Sequence, residues 1–138
     1  PDADRGYHEF TYSLLPHLGD WVAGETVRRG WELNVPMLAR AVAAGQASGA
    51  ARAAFFQVSG PAILDTVKPA EDGNGWILRL YEPHGGRGTV QVQGPRAFAR
   101  VTRTNLIEEG QEQLAANADR VTLPIGPFEI VTLRVNMA

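Results

Sequence analysis

Residues 6–21, GYHEFTYSLLPHLGDW, gather two histidines, two acids, two tyrosines and a tryptophan into one short stretch. The HEFTY segment invites comparison with the zinc motif H-E-x-x-H, where two histidines four apart share a helix face and both reach the metal. Tyr12 stands in place of the second histidine, and His17 follows only after Pro16, so one helix face cannot present both imidazoles. Alternation argues for a strand instead. His8, Phe10, Tyr12 and Leu14 fall on one side, and Tyr7, Glu9, Thr11, Ser13 and Leu15 on the other. On that reading His8, Glu9, Tyr12 and His17 are packing or interface groups rather than ligands.

Other chemistry is equally sparse. Ser13 and Ser59 lie outside any G-x-S-x-G elbow, so a hydrolase triad has no support. His8, His17 and His84 could serve a metal only if the fold gathered them. PHGGRG at 83–88 lacks both the lysine and the following helix of a phosphate loop, and reads as a hairpin turn. Glycoside hydrolysis needs two carboxyl groups at a set separation. Glu9, Glu82 and Glu129 sit on or beside expected strands, but nothing in the sequence makes any two converge. Arg79 interrupts the apolar run ILRLYE, on the same side as Ile77 and Tyr81. It reads as an outward charge or a partner of an acid such as Glu9 or Glu129; the alternative is a group reaching a neighbouring domain or a sugar. Trp21, Trp31 and Trp76 could stack on a sugar ring, though core or interface is the simpler role. No self-contained active site emerges.

The elements that would position these residues are mainly strands. Residues 19–36 have a helical flavour, with Asp20 as a candidate cap and Gly24 and Gly30 as weak points. The Ala/Gly-rich segment 37–53 reads as a flexible connection. From about residue 53 the pattern becomes β. Two runs break at Ser59-Gly60-Pro61, and EDGNG at 71–75 marks a hairpin between AILDTVK and WILRLYE. TVQVQ alternates cleanly. In AFARVTRT, Ala97, Ala99 and Val101 share one face and Phe98, Arg100 and Thr102 the other. Residues 108–120 read as an acidic surface loop with a possible helical turn, and the last eight or so residues as a buried strand. Strands recurring between Gly, Pro and Asn point to an all-β fold, an antiparallel β-sandwich.

The 138 residues suffice for one domain or two small β units. With no cysteine, disulfides, thiol catalysis and cysteine-ligated metals are excluded. Net charge is −2 and no basic run exceeds Arg28-Arg29, so nucleic acid is not an expected partner. No apolar run approaches the roughly 20 residues of a membrane span, and no secretory segment opens the chain. The start, PDADRG, reads as a piece of something longer.

Six blocks then occur in order: GYHEFTYSLLPHLGDW, LNVP at 33–36, TVKPAED at 66–72, ILRLYEPHGGRG at 77–88, NLIEE at 105–109 and PFEIVTLRV at 127–135. Together they resemble the C-terminal region of glycoside hydrolase family 38, the α-mannosidases, particularly the bacterial and cytosolic branch. The resemblance implies that residues 1–57 are the terminal strands of a large β-sandwich and residues 58–138 a small C-terminal sandwich. It implies a non-catalytic fragment, scaffold and domain interface, with a sugar-binding module as the alternative. The parent would be a cytoplasmic retaining α-mannosidase whose nucleophile and divalent metal, zinc or similar, sit in preceding domains; this chain would carry no cofactor. The expected partners are those preceding domains, or a second copy added through an exposed strand edge. His8, Glu9, Tyr12, His17, Arg79 and Glu82 become candidates for interdomain or sugar-proximal positions.

Overall fold

The computed structural model describes residues 5–41 and 53–138, and the chain divides into two units, residues 1–47 and 48–138. In the first unit the one regular element among the described residues is helix α1, Thr26–Asn34. Asp20, expected as its cap, sits a turn too early. Its Oδ1 accepts the N–H groups of Val22 and Ala23 at 3.1 and 2.8 Å, closing the turn that precedes the helix. Glu25 enters α1 from the left-handed region, and Arg29 links Glu25 and Glu32 along the exposed face.

Residues 7–15 do not form the expected strand: they make no strand ladder with another described segment. An alternating sequence supplies a face, but a strand also needs a neighbouring edge for its backbone N–H and C=O groups. No described residue of this unit is buried. Residues 37–41 are irregular, and most of the expected Ala/Gly connection, 42–52, lies outside the described residues.

The second unit is a sandwich of two antiparallel sheets. Its strands are β1 Gln57–Ser59, β2 Ile63–Pro69, β3 Trp76–Tyr81, β4 Gly88–Gln93, β5 Phe98–Thr104, β6 Gly110–Leu114, β7 Ala116–Asn117, β8 Arg120–Ile125 and β9 Ile130–Met137. One sheet runs β1-β4-β8-β7 and the other β2-β3-β9-β5-β6. Leu78, Leu80, Val90, Val92, Val101, Val121, Leu123, Val131, Leu133 and Val135 fill the space between them. Each fully buried aliphatic side chain contributes about 1.5–3 kcal/mol, which is how so small a fold holds without disulfides.

The EDGNG signal does mark the β2–β3 hairpin, although the connection is longer than a two-residue turn. Ala70 N–H bonds the Gly75 carbonyl at 3.0 Å, and Gly73 N–H bonds the Ala70 carbonyl at 2.8 Å. Two expectations fail for reasons of register. A bulge between Phe98 and Arg100 lets both Phe98 and Val101 point inward, so AFARVTRT does not alternate as a regular strand would. The polar 108–120 stretch is not a loop with a helical turn. It holds β6 and β7, exposed edge strands whose stability comes from backbone pairing to β5 and β8 rather than from apolar side chains. Pro124 is tolerated because β7 pairs only with Arg120 and Val121, leaving that edge of β8 free beyond them.

Candidate functional site

Of the connections that cross from sheet to sheet at one end of the sandwich, two converge on a single side chain: residues 82–87 between β3 and β4, and 126–129 between β8 and β9. PHGGRG is thus a crossover rather than the expected hairpin turn. Glu82 holds both connections. Only 1% exposed, it receives the His84 N–H at Oε1 (3.0 Å) and the N–H groups of Gly85 and Phe128 at Oε2 (2.7 and 3.0 Å). Burial alone would raise its pKa. Backbone N–H groups from Phe128, His84, Gly86 and Gly85 outweigh that and hold it below the ordinary carboxylate value. Gly85, at φ +77, is required here, since a Cβ would lie 2.8 Å from the Phe128 ring. Glu129 closes its own turn by accepting the Gly126 N–H at 2.6 Å and pairs with Arg103. The Gly126 N–H, more than Arg103, lowers the Glu129 pKa against the opposing effect of burial.

Both carboxylates are therefore held ionised with their lone pairs engaged. A glycosidic general acid needs the reverse, a raised pKa that keeps a proton at the working pH. The loops they anchor display His84 and Arg87 and leave Phe128 66% exposed.

A second polar cluster covers the outer face of the five-stranded sheet. Lys68, Ile77, Arg134 and Thr102 line up across β2, β3, β9 and β5. Ile77 is fully buried although it faces away from the core, because the aliphatic stems of Lys68 and Arg134 flank it. Glu108, buried and at φ 69, receives Lys68 Nζ at 2.7 Å and the Glu71 N–H at 2.8 Å. Lys68 first, then the Glu71 N–H, hold Glu108 below its ordinary pKa, and Glu108 in turn raises Lys68. Arg134 bonds Asp72 at 2.6 Å and the Glu108 carbonyl at 3.2 Å.

Arg79 belongs to this covered face. Its Nη2 donates to the Leu106 carbonyl at 3.3 Å, and it makes no ion pair among the described residues. Glu129, its expected partner, is taken by Arg103. The buried Arg79 Nε, Arg134 Nε and Thr104 Oγ1 have no hydrogen-bond partner among the described residues. Sequence reasoning missed Lys68 and Arg134, although a charge inside an apolar run, the signal noted for Arg79, is present at both. The role of Glu108 was not, because it depends on a left-handed turn in the 105–109 loop.

His8, Glu9, Tyr12 and His17 all lie exposed in the first unit. Tyr7 Oη donates to Glu9 at 3.5 Å, and the Phe10 and Tyr12 rings stand 6.4 Å apart. His17 Nδ1 lies 3.4 Å from the Leu18 carbonyl, and its ring packs so close to Gly24 that a Cβ there would come within 2.5 Å. No three His, Asp or Glu side chains among the described residues gather as metal ligands. The Glu82 and Glu129 carboxylates are engaged by backbone N–H groups. No helix is long and apolar enough to cross a membrane among the described residues.

Residues 61–133, from just before β2 into β9, match the glycosyl hydrolases family 38 C-terminal beta sandwich domain. Alpha-mannosidase 2C1 of Mus musculus is 35% identical over 140 residues, covering 96% of this chain and 13% of that protein. The Homo sapiens protein of the same name is 33% identical over 141 residues, with the same two coverages. Alpha-mannosidase G of Dictyostelium discoideum is 32% identical over 136 residues, covering 95% of this chain and 12% of that protein. The chain thus spans about an eighth of these relatives. The sandwich built around the Glu82 loops belongs to the family 38 C-terminal beta sandwich domains.

Proposed function

We propose that this chain is the non-catalytic C-terminal β-sandwich portion of an α-mannosidase, acting as scaffold and domain interface. The observation that carries the reading is the family match over residues 61–133, which coincides with a sandwich whose buried carboxylates anchor loops. The parent hydrolyses terminal α-mannosides with retention, through a covalent glycosyl intermediate, in preceding domains that hold the nucleophile and a divalent metal. Its compartment is the cytoplasm.

Residues 1–57 contribute terminal strands to the preceding large sandwich, and 58–138 form the small one. The first part of that division is supported by the exposure of an alternating segment with no ladder partner among the described residues. Tyr7, Phe10, Tyr12, Leu14 and Leu18 are 80–93% exposed, a density of uncovered apolar surface that marks an interface. His8, Glu9 and Tyr12 would lie on that added strand and His17 in the turn after it, as interdomain groups.

The test is hydrolysis of an aryl α-mannoside by the purified chain, with and without added zinc or cobalt. No turnover is expected under either condition. Turnover by the chain itself overturns the proposal.

A further inference from the structure

The sandwich is open between its edge strands β1 and β2. β1 is three residues long and β2 seven, so the four-stranded sheet stops short of the inner face at the β2–β3 hairpin. Val67 and Trp76 take register positions matching the buried inward residues, yet they remain 42% and 44% exposed. They border an apolar groove of about 580 Å³, lined also by Phe55, Leu64 and Met137, with Arg96 as its one charged residue among the described residues. Arg96 makes no ion pair among the described residues.

We propose that this groove receives another segment of the same polypeptide, from outside residues 1–138, carrying apolar side chains beside an aspartate or glutamate that pairs with Arg96. The inference rests on the reading of this chain as part of a larger enzyme and names one of its contact surfaces. Two observations select the occupant. The chain covers only 12–13% of its relatives, so most of such a polypeptide lies elsewhere and is held close by covalent linkage. An apolar trough whose described lining holds an arginine with no ion pair among the described residues is complementary to an apolar segment bearing an acid, the pattern of anchor and charge that gives an interface its register.

Hydroxyl-radical footprinting of Trp76, Phe55 and Met137 tests this in the 138-residue chain and in the intact polypeptide. The three side chains are expected to be oxidised in the chain and protected several-fold in the intact protein. Arg96→Glu in the intact protein is expected to restore their oxidation. Equal oxidation in both proteins overturns the proposal. So does protection already present in the 138-residue chain, which would mean that its own residues cover the groove. Aryl α-mannoside hydrolysis by the same intact preparation separates the two readings. A protected groove without hydrolysis overturns the enzymatic reading alone, and hydrolysis with an oxidisable groove overturns this one alone.

Discussion

At the scale of the residue, buried charge in this domain does mechanical work on loops. Glu82 replaces water with backbone N–H donors from two connections, so its removal exposes several unmet donors at once. Glu82→Gln keeps the shape, but its amide nitrogen would face N–H groups that need an acceptor. The expected cost is about 2–3 kcal/mol, read from the urea midpoint at unchanged m-value. Glu108, Glu129 and Asp72 are likewise held below their ordinary pKa values: Glu108 chiefly by Lys68, Glu129 by the Gly126 N–H, and Asp72 by the Asn74 N–H and then Arg134. Depressed folded values mean that the unfolded chain binds more protons in acid, so stability rises with pH there. The contribution is complete above the unfolded carboxylate range near 4 and is lost as pH falls through the folded values. Glu108→Gln is therefore expected to flatten the dependence of stability on pH below about 4.5. Chemical denaturation at stepped pH checks it, and a slope equal to that of the parent chain would count against the role assigned to Glu108.

At the scale of the element, the strands with one dry face were legible and those without one were not. TVQVQ, ILRLYE and EIVTLRVN each carry an apolar period that matches a pleat, and each became a strand. β6, GQEQL, is exposed along nearly its whole length, so composition carries no trace of the backbone ladder that defines it. Residues 7–15 fail in the opposite sense: their period suits a strand, but they form no ladder with another described segment. Glu82 stood out in the sequence as an acid beside a strand, but its loop-anchoring role depends on a contact 46 residues away at Phe128. The β2–β3 turn offers a test of local geometry. Gly75 has φ +97, and a Cβ there would lie 2.6 Å from the Val135 carbonyl, whereas Gly73 at φ +73 faces open space. Gly73→Ala is expected to cost about 1 kcal/mol for the left-handed backbone alone, and Gly75→Ala clearly more, because β9 backbone must move. Equal thermal midpoints for the two variants would contradict this assignment of the turn.

At the scale of the whole molecule, the two units differ in what sustains them. Every buried side chain of the core cluster comes from residues 78–135, and the partly buried groups packed on it from residues 56–137. The first unit has no buried described residue, and its one helix rests on exposed ion pairs, which contribute little. Residues 48–138 should therefore fold alone. Expressed without residues 1–47, they are expected to unfold in one cooperative urea transition, with far-ultraviolet and tryptophan signals coincident. Trp76 is then the only tryptophan, so the fluorescence reports the sandwich alone. Residues 1–47 alone are expected to show no cooperative transition, because an amphipathic segment without a partner sheet has too little apolar burial to offset its conformational entropy. A sandwich that folds only in the presence of the first unit, or a cooperative transition in the isolated first unit, would show that the cohesion assigned here to the two sheets lies elsewhere.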